Sequence, residues 1–93
     1  MEHIYLDFQE SLQEDVAILS LTGKMMGGSG TEEVHDRVNN FLTQGFKKII
    51  IDMESVKWLN SSGIGVLTAC LNSVQKKGAQ LRHRIEPSFV HID

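Results

Sequence analysis

The stretch IIIDMESVKWLNSSGIGVLTACLNSVQKKGAQL, residues 49–81, decides the fold of this chain. It begins within an apolar run, KKIIIDM at 47–53, that is too short for a helix and does not alternate. This run predicts a central strand covered on both faces. A helix is predicted from Ser62 to Lys77, closed by Gly78, and AQLRHRI at 79–85 predicts the next strand. Strand, helix and strand in this order predict two parallel strands joined by a right-handed crossover.

The apolar face of the predicted helix indicates which residues form the core. Its apolar residues at helical spacing are Ile64, Leu67, Leu71 and Val74. Because helix faces and the central strand have to meet, we expect a core that contains Val38, Phe41, Ile50, Leu67 and Leu71. Trp58 lies close to a pair of serines in the sequence, and we expect it to be partly exposed there.

Two strands are predicted near the beginning of the chain. HIYLDF at 3–8 alternates apolar and polar residues, which is typical of a half-buried strand at an edge. DVAILSLTG at 15–23 predicts a second strand that stops at its glycine. The polar QESLQED at 9–15 is compatible with a hairpin connection between the two strands.

A first helix is predicted over TEEVHDRVNNFLTQ, residues 31–44, where apolar residues recur on one helical face. Ser29 or Thr31 is expected to cap it, since Ser29 with Glu32 has the spacing of a capping box. Gly45 stands where a left-handed residue is needed to end the helix.

The resulting order β-β-α-β-α-β predicts a single α/β domain over residues 1–93. Its sheet is mixed, with the later strands parallel and the helices packed on the sheet. In such sheets functional residues gather where the carboxyl ends of strands meet helix N-termini. The segment Asn60–Ser62 falls at that kind of junction.

Composition argues against several classes of function. The 93 residues carry a net charge of −3, so the chain has no basic surface for nucleic acid or anionic lipid. A single cysteine, Cys70, excludes an internal disulfide and favours a reducing compartment. No leader and no apolar run of membrane-spanning length is found, so we expect a cytoplasmic protein without membrane insertion. The histidines have no metal-ligand spacing, and neither metal nor cofactor is expected: His3, His35, His83 and His91.

The glycine-rich GGSG at 27–30 precedes the first predicted helix. Backbone amides there could hold an anion. The segment lacks both the phosphate-loop motif and the dinucleotide fingerprint, which disfavours nucleotide binding. We expect it to be a flexible approach to the helix.

The serine pair Ser61–Ser62 has several possible roles. Asn and Ser are preferred N-cap residues, and capping accounts for one residue of Asn60–Ser62. A hydrolase nucleophile would need GxSxG flanks and a histidine base, whereas the flanks are Leu-Asn-Ser-Ser-Gly and His83 is the one histidine that could reach the site. Gly63 and Gly65 cost about 1 kcal/mol each in helix propensity relative to Ala. We interpret them as keeping the surface around the serines open to a partner.

Residues 49–81, together with AILSLTGKM at 17–25, resemble the STAS domains of bacterial anti-sigma-factor antagonists. The shared pattern is an apolar strand, a linker, Asn-Ser-Ser-Gly-Ile-Gly in place of the family's Asp-Ser-Ser-Gly-Leu-Gly, an amphipathic helix, glycine and a strand. The resemblance covers roughly residues 10–87 and implies a STAS-like mixed sheet.

The resemblance also implies a partner switch without catalysis by the chain itself. The unphosphorylated antagonist binds an anti-sigma factor that is a serine kinase, and phosphorylation of Ser61 by that kinase breaks the complex. A metal-dependent serine phosphatase restores it. Ser62 is then mainly a helix-terminal donor and acceptor, and the exposed side of the second helix and the loop Lys24–Thr31 adjoin the site. The implied partner-binding residues are Asn60, Ser61, Ser62, Gly63 and Ile64.

Two departures from the family pattern carry expectations of their own. Asn60 in place of Asp keeps a cap and removes a charge, so kinase recognition is expected to differ. IEPSFVHID at 85–93 starts like the family's next helix, with Pro87 in the first turn, and is shorter. We expect a truncated C-terminal helix and, from the apolar surface left uncovered, weak homo-oligomers at high concentration. The alternatives are a STAS subunit regulating a transporter ATPase or a stress-signalling complex, and a small serine hydrolase.

Overall fold

The computed structural model describes residues 6–84 and 91–92. Their elements follow in the order β1 (Leu6–Gln13), β2 (Val16–Met25), α1 (Gly28–Thr43), β3 (Lys48–Leu59), α2 (Ser61–Lys76), β4 (Gln80–Arg84) and β5 (His91–Ile92). In this part of the chain no helix is both long enough and apolar enough to cross a bilayer.

The sheet has the order β1-β2-β3-β4, and β5 also pairs with β3. β1 and β2 are antiparallel, whereas β3 is parallel to β2, β4 and β5. The predicted order β-β-α-β-α-β and the parallel later strands are therefore confirmed. The predicted C-terminal helix falls mostly on residues 85–90, which lie outside the described residues.

The hairpin between β1 and β2 is tighter than predicted. Gln13 pairs with Val16, so the turn is only Glu14–Asp15, and Glu14 has a positive φ of 55°. Residues 9–13 of the polar run assigned to the connection belong instead to β1. These polar side chains are tolerated in a strand because β1 lies at the edge of the described sheet and most of its residues are exposed.

Helix α1 begins three residues earlier than predicted, and the capping box of Ser29 and Glu32 is wrong. Its N-cap is Gly27, and no side chain caps the helix. The Thr31 hydroxyl accepts a hydrogen bond from the Gly27 amide at 2.9 Å and donates to the Gly27 carbonyl at 3.1 Å, so it ties the first turn together from inside. The predicted end is confirmed: Gly45 has φ 99°, and the next residue's amide donates to the Phe41 carbonyl.

The core lies between the two helices and one face of the sheet. Ala17, Leu19 and Leu21 of β2 are buried, and the residues between them are only half-buried. Strand β3 shows the same alternation at its start, so the prediction that it is covered on both faces is wrong for the described residues. Ile50 lies on the face of the sheet opposite to α1 and α2 and is half-buried. The buried apolar residues are Leu6, Ala17, Leu19, Leu21, Met25, Val34, Val38, Phe41, Leu42, Ile49, Ile51, Met53, Val56, Leu59, Cys70 and Val74.

Helix α2 packs on the sheet with a face rotated from the predicted one. Gly63, Cys70 and Val74 are buried and Leu67 is half-buried, whereas Leu71 is 38% exposed and was wrongly expected in the core. The reason is close approach, because small residues at 63 and 70 allow the helix backbone to lie near the strands. Of the other residues expected in the core, Val38 and Phe41 are buried.

Candidate functional site

The candidate site lies where β3 ends and α2 begins. Strand β3 ends at the buried Leu59, Asn60 is the N-cap of α2, and Ser61 and Ser62 are the first two helical residues. The serine pair therefore stands at the carboxyl end of a strand in the middle of the sheet, the position that the sequence predicted.

Besides accepting the first helical hydrogen bond from the Ile64 amide, Asn60 fixes this junction with three further hydrogen bonds. Its side-chain Oδ1 accepts from the Gly63 amide at 3.1 Å, which caps α2, and its Nδ2 donates to the Met26 carbonyl at 3.0 Å. Its backbone amide donates to the Met25 carbonyl at 3.3 Å. A carboxylate could make the cap but could not donate to Met26, because an ionised Asp only accepts hydrogen bonds. Asn at this position therefore clamps α2 to the end of β2 as well as capping it.

The two serines have different surroundings although both are exposed. Ser62 lines a cleft of about 300 Å³ between the N-terminal turns of α1 and α2, where it faces Gly27, Gly28 and Thr31. Ser61 is the first residue of α2, and its hydroxyl makes no hydrogen bond within residues 6–84 and 91–92. The predicted role of Ser62 as the helix-terminal donor and acceptor is filled by Asn60 instead. The predicted proximity of the loop Lys24–Thr31 is confirmed.

The two glycines after the serines serve different purposes. Gly65 is exposed and has open space around it, which agrees with the interpretation that it keeps the surface around the serines open. Gly63 is buried, and a Cβ built there would lie 2.6 Å from both the Met25 carbonyl oxygen and Leu59 Cδ1. The interpretation of Gly63 as opening the surface is therefore wrong, since its lack of a side chain allows α2 to contact the strands.

We expect Gly63→Ala to lower the free energy of unfolding by about 1–3 kcal/mol, because overpacking against a backbone carbonyl outweighs the gain in helix propensity. The matched control is Gly65→Ala, which should raise stability by about 0.5–1 kcal/mol. Urea unfolding of the two variants measures both values. Equal effects of the two substitutions would contradict the close packing of Gly63.

Large apolar side chains are exposed on both sides of Ser61. Ile64 is 43% exposed one helical turn after it, and Trp58 is 37% exposed three residues before it. Leu71 lies on the same exposed face of α2 as Ile64. Between Ile64 and Leu71, the Thr68 hydroxyl donates a hydrogen bond to the Ile64 carbonyl at 3.0 Å. The partial exposure expected for Trp58 is confirmed. Sequence reasoning missed the exposed Leu71, because a large apolar residue at helical spacing ordinarily indicates the core.

The groups near the site do not form a catalytic constellation in the described part of the chain. His35 Nε2 is 2.8 Å from the Ser73 hydroxyl, so this imidazole bonds a serine further along α2 rather than Ser61 or Ser62. Burial raises the pKa of the Cys70 thiol to about 12, which keeps it protonated and unreactive. Residues 6–84 and 91–92 contain no cluster of His, Cys, Asp and Glu suited to hold a metal ion. The His83 side chain lies outside the described residues.

Comparison with known proteins identifies the family. The STAS domain family matches residues 7–82, a range that includes nearly all of β1, the serine pair and the start of β4. The chain belongs to the STAS domain family.

Solved structures share this fold at low sequence identity. An anti-sigma factor antagonist from Mycobacterium paratuberculosis is similar with a TM-score of 0.74 and 15% identity, over 87% of this chain and 68% of that one. The anti-sigma factor antagonist SpoIIAA in its unphosphorylated form gives 0.70 and 18%, over 89% and 74%. The phosphorylated form of SpoIIAA, a Bacillus cell fate determinant, gives 0.64 and 19%, over 83% and 68%.

Proposed function

We propose that this protein is a cytoplasmic anti-sigma-factor antagonist that works by partner switching and has no catalytic activity of its own. When unphosphorylated, it binds an anti-sigma factor that is a serine kinase. The kinase phosphorylates Ser61, and the complex then separates. A serine phosphatase removes the phosphate and restores binding.

The observation that carries this proposal is the exposed Ser61 hydroxyl at the first position of α2. A kinase has to bring the acceptor oxygen to its nucleotide, and the three Asn60 hydrogen bonds hold the adjoining backbone in one place. Ser62 is exposed as well, but it lines the cleft between the N-terminal turns of α1 and α2, whereas Ser61 does not. Similarity to an antagonist that was solved in both unphosphorylated and phosphorylated forms supports the same role here.

The site can accept a phosphate without loss of the fold. A phosphoserine adds about −1.5 to −2 charges, and here it would stand at the positive end of the α2 dipole. The Gly63 amide is already taken by Asn60, whereas the amides of the first two helical residues are donors without an intrahelical acceptor. The phosphate is therefore expected to change the surface that meets the partner, and to leave the domain folded.

Binding is expected to be sensitive to that charge. The exposed apolar residue Ile64 lies one turn from Ser61, so a partner seated there would exclude water from the serine. A desolvated phosphate would then face the phosphates of the kinase's own nucleotide. Such repulsion costs several kcal/mol, and 1.4 kcal/mol is already tenfold in affinity.

The assignment within the serine pair is tested by phosphate transfer. The protein, Ser61→Ala and Ser62→Ala are each incubated with labelled ATP and a kinase from the same genome that has the histidine-kinase-like ATPase fold. We expect label on the unsubstituted protein and on Ser62→Ala, and none on Ser61→Ala, which should still bind the kinase.

The reverse pattern of labelling would place the acceptor at Ser62. Absence of label on all three proteins would contradict the proposed switch. A fluorophosphonate probe provides a separate check, because stoichiometric labelling of Ser61 by that probe would indicate a serine hydrolase.

A further inference from the structure

We propose that Trp58 is the aromatic anchor of the partner interface, with Lys24 beside it as a charged contact, so that the bound kinase reaches over the end of the sheet. This inference rests on the proposed function. It adds a second contact region, on the side of the sheet opposite to α2.

Trp58 and Lys24 stand side by side at the carboxyl ends of two parallel strands. They are register partners in β2 and β3, and Lys24 Nζ lies 5.9 Å from the centroid of the Trp58 ring. The next pair, Met25 and Leu59, is buried against Gly63 on the helix side. Because neighbouring strand residues point to opposite faces, Trp58 and Lys24 belong to the face of the sheet opposite to α1 and α2.

The distribution of exposed apolar residues favours an interface here. The large apolar side chains that are exposed in the described residues are Leu12, Trp58, Ile64 and Leu71. Three of the four lie on α2 or immediately before it. Trp58 and Ile64 are three residues before and three residues after Ser61, on opposite sides of the sheet end.

Distance alone brings Trp58 within reach of a partner centred on Ser61. Three residues of extended chain span at most about 11 Å. A standard interface buries roughly 800 Å² on each protein, equivalent to a circle of about 16 Å radius. Interface hot spots are enriched in Trp that is central and becomes fully desolvated. Trp58 lies within that radius, where a bound partner would exclude water from its ring.

Trp58 and Lys24 together indicate the chemistry of the kinase surface that would bind them. An indole ring fits an apolar pocket, and the positive charge of the ammonium group beside it favours an acidic residue near the rim of that pocket. The inferred partner surface is therefore an apolar recess on the kinase with an acidic residue at its edge, next to the nucleotide site that serves Ser61.

The chain offers a matched control for this proposal. Leu12 is 58% exposed and pairs with Ala17 near the start of β2, so it lies at the opposite end of the sheet from Ser61. Trp58→Ala is expected to weaken kinase binding tenfold or more in calorimetric titration, and Leu12→Ala is expected to leave it unchanged. Lys24→Glu should weaken binding at low salt, with a smaller effect at high salt because surface charges are screened.

A direct measurement avoids any effect of substitution on folding. Trp58 is the only tryptophan of the chain, so protein grown with 5-fluorotryptophan gives one ¹⁹F resonance that the unlabelled kinase does not share. We expect this resonance to shift on binding and to become protected from a soluble paramagnetic quencher.

If the kinase binds while the resonance stays unshifted and accessible, the anchor is wrong and the proposed function stands. Equal affinities for Trp58→Ala and Leu12→Ala would likewise overturn the anchor alone. If Lys24→Glu binds with unchanged affinity at low salt, the acidic rim is wrong. If the kinase does not bind the unsubstituted protein, both the anchor and the proposed function fail.

Discussion

Ser61→Asp is expected to weaken binding of the partner kinase by on the order of a hundredfold and to leave the domain folded. The substitution puts a carboxylate at the first position of α2, where the helix dipole favours negative charge. The unfolding midpoint should therefore not fall. At the interface the same charge is desolvated and faces an anionic nucleotide, a repulsion of several kcal/mol.

The control for this substitution is Ser11→Asp. Ser11 is an exposed serine on β1 that pairs with Ile18, away from the end of the sheet that carries Ser61. Ser11→Asp should add the same negative charge without changing the affinity for the kinase. Calorimetric titration with purified kinase gives both affinities, and a similar loss for the two variants would point to net charge rather than to Ser61.

Leu19→Ala is expected to lower the free energy of unfolding by about 2–5 kcal/mol, whereas Leu71→Ala should lower it by less than about 1 kcal/mol. The two substitutions remove the same atoms. Leu19 is fully buried between the sheet and the helices, so its loss leaves a cavity, while Leu71 is 38% exposed on α2. In a small domain the first value is a large share of the total stability.

Urea unfolding with an unchanged m-value measures both effects. If Leu71→Ala costs as much as Leu19→Ala, α2 is packed with the face that the sequence predicted, and the exposed surface proposed as an interface would be part of the core.

The order of elements and the position of the serines could be predicted from the sequence because local signals agree there. Gly45 and Gly78 each end a helix with a positive φ, and the residue after each donates back into the last turn. Asn60 is a preferred N-cap and is found capping α2. Each of these signals depends on a few neighbouring residues.

The length of β3 could not be predicted, because bulges disrupt its pattern. Ser20 pairs with Asp52 but Thr22 pairs with Ser55, and a second shift follows at Gly23 and Lys24. Each shift inserts one extra residue into β3. The buried residues near its end, Met53, Val56 and Leu59, are consequently three apart. This part of β3 therefore lacks the alternating pattern of a strand, and in the sequence the polar residues between Met53 and Leu59 resemble a linker.

The face of α2 was mispredicted for a reason that is not local. Periodicity alone favours the face with the largest apolar residues, which are Ile64, Leu67 and Leu71. The structure buries Gly63 and Cys70 instead, since the helix approaches the strands closely enough that a Cβ at 63 would collide with the Met25 carbonyl. This packing of α2 through its small residues depends on the distance between helix and sheet, which the sequence does not give. The same packing leaves Ile64 and Leu71 exposed beside the serines.

The central claim is that a phosphate on Ser61 separates this protein from its kinase, and one pair of affinities tests it most directly. The dissociation constant of the purified kinase is measured for the unphosphorylated protein and for the same protein carrying one phosphate on Ser61, verified by mass spectrometry. The two forms should show the same unfolding midpoint within a few degrees. We predict a dissociation constant on the order of a hundredfold higher for the phosphorylated form. Equal dissociation constants for the two forms would contradict the claim.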